Sequence, residues 1–419
     1  TLISTIDKTI TSSGSRLLKS WLISPLIDKK YINKRLDIVE EFVNDTNLIN
    51  ETRHDLRNTY DIKRIISRIS LKKVNPLDLI NLSESLDFID IFKKHLSTKN
   101  KNINQLIKNI TSTSNVISLI TKTLKDDPSI NMKKGNFIRK GFSKELDELR
   151  MISNDANEWM VNYQQLLRKK TNINSLKISF NKIFGYYIDV TRIHSDKVPD
   201  YFIKKQTLVN NERYFTEELK EFEHKILNAE HKISSIENTL FNDLCDKILN
   251  HVDSIQKKSD LISKIDIFST LAYISINNRY TRPIINDDFT LNIKNGRHPV
   301  VEELISNDNQ FISNDTELNS KEFLSVITGP NMAGKSTYLR QIGIIMIMTQ
   351  IGSFVPADSA TVGIIDKLFT RVGASDNLAE GESTFLVEMQ ETANIINNAT
   401  ENSLIILDEI GRGTSTYDG

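Results

Sequence analysis

One stretch limits what this chain can fold into more than any other: Phe323-Leu-Ser-Val-Ile-Thr-Gly-Pro-Asn-Met-Ala-Gly-Lys-Ser-Thr-Tyr-Leu-Arg-Gln341. It opens on an apolar run, Phe323 to Ile327, expected as a buried strand. Gly329, Pro330, Asn331, Met332, Ala333, Gly334, Lys335 and Ser336 then satisfy G-x-x-x-x-G-K-[ST] at every fixed position. Thr337 follows, and the apolar segment Leu339 to Ile351 predicts a helix. Strand, glycine loop and helix together are the context in which such a loop cradles phosphates.

The spacing has a chemical reason. Gly329 and Gly334 permit a tight turn whose successive N–H groups converge on one anion. The helix behind the turn adds its positive N-terminal end. Lys335 can reach the β and γ phosphates, and the Ser336 hydroxyl can ligate Mg²⁺. The bland alternative, a glycine turn before a core helix, rarely satisfies every fixed position in the right context.

A second motif lies downstream. Leu404-Ile-Ile-Leu-Asp408-Glu409 is an apolar strand ending in two carboxylates. Asp408 is placed to hold Mg²⁺ and Glu409 to polarise an attacking water. Lys335 and Glu409 are therefore the expected catalytic pair for ATP hydrolysis, with ADP as product. Between the motifs, Gly381-Glu-Ser383 suggests a helix N-terminus suited to another anion, or simply a local cap.

The bulk composition mainly excludes. With 419 residues, 39% of them apolar, several domains can form cores. Lys+Arg and Asp+Glu are both 54, so net charge says nothing about a nucleic-acid partner. A single cysteine, Cys245, permits no internal disulfide framework and sits in a helical apolar pattern. No apolar run approaches the ~18–20 residues of a membrane span. Ten of the 15 glycines lie between Gly329 and Gly419, so the C-terminal portion is loop-rich α/β. The chain starts at Thr1 and stops just after the second motif, which suggests a piece of a longer protein.

Residues 1–130 carry helical stripes: Leu17, Leu18, Trp21 and Leu22; Leu36, Val39 and Phe42; Leu79, Leu82, Leu86 and Ile89, after Pro76. Residues 140–170 predict one helix. The period then changes to two: Leu176, Ile178 and Phe180, then Tyr186, Ile188 and Val190, predict a hairpin. From 172 to 215 the net charge is +3, carried by Lys177, Lys182, Arg192, Lys197, Lys204, Lys205 and Arg213. Tyr186, Tyr187, Tyr201 and Tyr214 are interleaved. Contact with nucleic-acid phosphate is one reading and an ordinary solvated patch the other. From Thr216 to residue 249 a helix of roughly 50 Å is expected, capped by Thr216 and seamed from Phe222 to Ile248. Phe289 to Ile293 suggests a strand, and Gly296-Arg-His298-Pro-Val a turn. His298 has no metal-ligand spacing near it.

These residues resemble the MutS family of DNA mismatch repair ATPases. The carriers are Thr328 to Tyr338, Ser383-Thr-Phe-Leu-Val-Glu-Met389, Glu391-Thr-Ala393 and Asp408 to Gly419. Gly14-Ser-Arg-Leu-Leu18 with Trp21-Leu22 resembles the opening of the family's core domain. Asn181-Lys-Ile-Phe-Gly-Tyr-Tyr187 and Gln206-Thr-Leu208 with Asn211-Glu-Arg-Tyr214 resemble its clamp, and Gly296-Arg-His-Pro-Val300 the entry to its ATPase.

The resemblance implies a multidomain chain. Residues 1–171 would be an all-α core and lever, 172–215 an inserted β-rich clamp and 216–280 returning lever helices. Residues 281–419 would be an α/β P-loop ATPase domain of the ABC type. It implies sites shared between two subunits of a homo- or heterodimer, with Ser383 meeting the γ-phosphate held by the other subunit. Phe311 matches an aromatic that stacks on adenine. The clamp would grip mismatched double-stranded DNA by its backbone, and a MutL-type repair protein would act downstream. A bacterial relative would be cytoplasmic or nucleoid-associated, a eukaryotic one nuclear or mitochondrial.

There are departures. The family's mismatch-reading and connector domains are not seen, and Phe215-Thr-Glu217 falls in the clamp match and is no mismatch wedge. The downstream switch histidine is also missing, and Ala333 stands where glycine is frequent. A meiotic-type relative without mismatch discrimination, or a P-loop ATPase of another class, remains the alternative.

Overall fold

The computed structural model describes the chain except residues 109, 131, 133–134, 182–184, 306–310, 331–332, 373–383 and 409–419, and the side chains of 156, 157, 372, 384 and 385. Its helices in chain order are α1 (Leu2–Ile6), α2 (Ser12–Ile23), α3 (Lys29–Val43), α4 (Thr46–Leu56), α5 (Ile62–Ser70), α6 (Pro76–His95), α7 (Lys101–Lys108), α8 (Ser114–Thr123), α9 (Lys144–Thr171), α10 (Glu217–Leu249), α11 (Val252–Asn277), α12 (Pro299–Leu304), α13 (Lys335–Gln350) and α14 (Thr384–Asn398). The strands are β1 (Lys177–Asn181), β2 (Gly185–Thr191), β3 (Ile203–Thr207), β4 (Asn211–Phe215), β5 (Ile284–Ile285), β6 (Leu291–Gly296), β7 (Asn314–Leu318), β8 (Ser359–Val362), β9 (Leu368–Val372) and β10 (Leu404–Asp408). They form sheets ordered β1-β2-β4-β3, β5-β8-β6-β7 and β10-β9. The chain divides into two compact units.

One unit contains residues 1–63, 84–112 and 253–419. Its helical core forms where the apolar stripes meet: Leu18, Leu36, Val39, Phe42 and Ile89 are fully buried. Trp21 packs against Phe268 of α11, and Phe42 stacks with Phe92. The Gly14 motif has a steric reason. Asp266, fully buried on α11, accepts from the backbone N–H groups of Ile10 and Thr11 and from the Thr11 hydroxyl, at 2.6–2.9 Å. A Cβ on Gly14 would fall 2.3 Å from the Asp266 carboxylate. Thr11 caps α2 by accepting from Gly14 N–H at 3.0 Å.

The same unit carries the glycine loop. Helix α13 packs on the parallel pair β9–β10, and Gly343 permits the approach: a Cβ there would lie 3.1 Å from Ile406. The expected buried strand at Phe323–Ile327 does not form. Among the described residues the segment has no ladder partner, and Phe323, Leu324 and Val326 are 72–81% exposed. Strand identity is a matter of pairing, and the described strands pair among themselves. The strand expected at Phe289 begins instead at Leu291 and continues to Gly296.

The other unit contains residues 64–83 and 113–252. Helices α9 and α10 pack side by side and carry the four-stranded sheet at one end. Ser143 and Thr216 cap them, and α9 ends at Asn172 in the left-handed region. Ile188, Val190, Phe202 and Tyr214 of the sheet segment join Met160, Leu167, Leu219 and Ile226 in one core. Cys245 is buried on α10, and burial pushes its thiol up to about 12, so it is inert packing.

Candidate nucleotide and nucleic-acid sites

The cleft at the head of α13 is built by local sequence. Gly334 takes φ +89 as the N-cap of the helix, a conformation that suits glycine. The next residue, Lys335, begins α13, so the helix's free N–H groups face the loop. The Lys335 ammonium donates to the Gly329 carbonyl at 2.6 Å, closing the loop on itself. The cleft is about 890 Å³. Thr328, Gly329, Pro330, Ala333, Gly334, Lys335, Thr337 and Tyr338 line it from the glycine loop and α13, and Val301, Ile305, Phe311, Ile312, Asn314 and Asp315 from the segments around α12 and β7.

Not every sequence-predicted residue lines this space. Ser336 is half-buried in the first turn of α13, outside the lining. Asp408 ends β10, buried at 8% exposure, and is also outside it. Asn331, Met332, Ser383 and Glu409 lie outside the described residues. Among the described residues no group of three or more His, Cys, Asp or Glu side chains is placed to hold a metal. The loop nevertheless suits a phosphate chain. A Cβ on Gly334 would meet nothing within 4 Å, and one on Gly329 only the Lys335 side chain. Among the described residues the Lys335 ammonium meets a backbone carbonyl, which an anion could replace.

Sequence patterns gave no structural role to the residues that hold the far wall, and the turn expected at Gly296–Val300 in fact runs into the start of α12. His298 is the N-cap of α12, with Nδ1 accepting from Val301 N–H at 3.3 Å. Burial, with Arg340 nearby, lowers its pKa and keeps the imidazole neutral, as an acceptor nitrogen requires. The signal was its place directly before Pro299, the preferred first helical residue. Tyr338 accepts from the Thr316 hydroxyl at 2.9 Å and donates to the Asp315 carbonyl at 3.1 Å. Asp315 in turn accepts from Asn295 N–H and Lys294, which lower its pKa.

The basic segment has two unlike faces. Register aligns Lys177, Asp189, Arg213 and Gln206 across the sheet on one face. Arg213 lies over the Tyr187 ring at 4.3 Å and donates to Gln206. The opposite face, with Ile188, Val190 and Tyr214, packs on α9 and α10. Lys204 is paired across from Tyr214 on that packed side and donates to the buried Glu212 at 2.5 Å. Glu212 also accepts from Tyr214, whose phenol is pushed up to about 12 by burial and this contact. Lys177, Arg192, Lys197, Lys204 and Lys205 are exposed and Arg213 is half-buried; Lys182 lies outside the described residues.

The chain is thus a multidomain, helix-rich protein with small sheets. The family model of MutS domain III matches residues 1–272, and that of MutS domain V matches residues 325–419. Over its whole length the chain is 47% identical to the DNA mismatch repair protein MutS of Halothermothrix orenii, covering 47% of that protein. It is 47% identical to that of Caldicellulosiruptor saccharolyticus, covering 49%, and 46% identical to that of Clostridium perfringens, covering 46%. The chain belongs to the MutS family. It spans about half the length of the curated relatives it matches.

Proposed function

We propose that this protein is a DNA mismatch repair ATPase, which binds mismatched duplex and uses ATP to change its grip on it. The observation that carries the nucleotide reading is the cleft at α13: a left-handed Gly334, a free helix N-terminus and Lys335 on one wall, Phe311 on the other. The loop N–H groups and Lys335 would bind the phosphates, and Phe311 would stack on adenine. Ser336 and Asp408 would hold Mg²⁺, which supplies charge neutralisation when bound. Glu409 would orient the water, and Ser383 would complete the site of a partner MutS-family subunit.

Residues 1–171 serve in this reading as core and lever, 172–215 as clamp, 216–280 as returning lever helices and 281–419 as a P-loop, ABC-type ATPase domain. Net positive charge and exposed Lys177, Arg192, Lys197 and Lys205 support backbone contact with DNA in the clamp. A MutL-type protein would be the downstream partner. Among the described residues no helix is long and apolar enough to cross a membrane. The named relatives are bacterial, and in this reading the protein works on DNA in the cytoplasm.

The test is equilibrium binding of ATP to the full-length protein and to Lys335→Ala. Loss of one charge-assisted phosphate contact, about 1.5–3 kcal/mol, should weaken binding by roughly ten- to a hundredfold. Equal affinity for the two proteins would refute the cleft assignment. Equal affinity for mismatched and matched duplex would favour a family member without mismatch discrimination.

A further inference from the structure

We propose that Tyr338 is a positioning residue that fixes the spacing between the base-side and phosphate-side walls of the cleft, an inference that rests on the ATP reading above. The two walls come from different parts of the chain. Lys335 and the glycine loop belong to the head of α13, whereas Phe311 leads, after two residues, into β7. Tyr338 stands one turn into α13, three residues after Lys335. Its hydroxyl spans the gap, accepting from Thr316 and donating to the Asp315 carbonyl. Among the described residues, the hydrogen bonds between α13 and β7 both run through this oxygen.

The same helix face is committed to the antiparallel pair β6–β7 one turn further on. Gln341 is fully buried, and a Cβ on Gly296 would fall 2.7 Å from its amide nitrogen. Gly296 pairs with Asn314 at the head of β7. Among the described residues the Gln341 amide finds no hydrogen-bond partner. Packing at Gln341 therefore sets how closely the β6–β7 pair approaches, while the Tyr338 hydroxyl sets its register along the helix. Thr316 is buried, so its hydroxyl has little recourse to water if Tyr338 is lost.

A ligand that touches both walls should feel this tie, and one that touches only the phosphate wall should not. The probes are ATP and inorganic tripolyphosphate, with the full-length protein, Tyr338→Phe and Thr316→Val. Both variants remove a hydroxyl and keep the side chain's bulk. We expect ATP affinity to fall roughly five- to tenfold in each, the worth of about one neutral hydrogen bond or slightly more. Tripolyphosphate affinity should stay within about twofold. A merely structural role would lower both ligands together. Unchanged ATP binding, or equal loss for both probes, overturns the inference while leaving the ATP site intact. An unsubstituted protein that binds neither probe overturns the cleft reading and this inference with it.

Discussion

Arg35 occupies the space that a side chain on Gly352 would need. A Cβ at Gly352 would lie 2.3 Å from the Arg35 Cβ, and Gly352 itself takes φ +83. Arg35 is held there from two sides. Its guanidinium lies 3.4 Å from the centre of the Trp21 ring and donates to the Ile351 carbonyl at 3.0 Å. Burial lowers its pKa to about 10, and it stays charged at neutral pH. Helices α2 and α3 are thereby fastened to the C-terminal end of the phosphate-loop helix, where a cation also suits the helix dipole.

Gly352→Ala should destabilise this unit by about 2–4 kcal/mol, because a left-handed backbone and a contact with Arg35 would both have to give. The check is the denaturation midpoint of the full-length protein. A change below about 0.5 kcal/mol would show that the backbone relaxes without cost.

Glu237 is the corresponding fastening in the other unit. Fully buried on α10, it pairs with Arg150 of α9 at 2.6 Å and accepts from Asn136 N–H at 2.7 Å. Gly135, at φ +63, brings that loop within reach. Glu237→Ala should cost about 3 kcal/mol, the low end for breaking a buried pair, because Arg150 keeps only its pair with Asp147 at 3.4 Å while a backbone donor loses its acceptor. Adding Arg150→Ala should restore part of the loss. A double variant as unstable as the sum of the singles would remove the pair from the argument.

His298 gives a pH dependence of defined sign. Its folded pKa lies below the ordinary 6.5, so the unfolded chain takes up the proton first. The stability of the α12 cap is full above pH 6.5 and falls as pH drops through that value towards the folded pKa. Protonation at Nδ1 would replace the acceptor for Val301 N–H with a donor. The exchange protection of the Val301 amide, its rate relative to the intrinsic rate at each pH, should therefore fall on acidification more than that of neighbouring amides. His298→Asn, which keeps an acceptor but cannot titrate, should flatten the curve. An unaltered pH profile in that variant would show that the cap plays no part.

What could be read from the sequence was local. The stripes Leu36–Val39–Phe42 and Leu79–Leu82–Leu86–Ile89 are buried as their period requires, and Thr216 caps α10. The glycine loop was legible because its backbone demands fall on consecutive residues. The fastenings were not, because their partners are remote: Arg35 and Ile351 are 316 positions apart, Glu237 and Arg150 are 87 apart. Tyr338 could be read as part of a motif, but not its tie to Thr316 in another strand. Phe323–Ile327 shows the converse failure. An apolar run is a pattern within one segment, whereas a strand needs a neighbour that the segment cannot announce.

The basic sheet offers the sharpest contrast between two residues that composition treats as equals. Lys177 is exposed at the edge strand β1 and aligned with Asp189 and Arg213 on the open face. Lys204 is already neutralised by Glu212, whose carboxylate is held below its ordinary pKa by that lysine and by Tyr214. A phosphate competing for Lys204 would have to displace the buried Glu212. Lys177→Ala should therefore weaken duplex binding roughly equally across sequences and reduce the salt slope by about 0.9, the value for one lost phosphate contact. Lys204→Ala should change the slope by much less, and should instead lower stability by leaving Glu212 without its cation. Titrations of matched duplex at several salt concentrations would decide between them. A larger slope change for Lys204 than for Lys177 would mean that the packed side of the sheet, not the open one, meets the DNA.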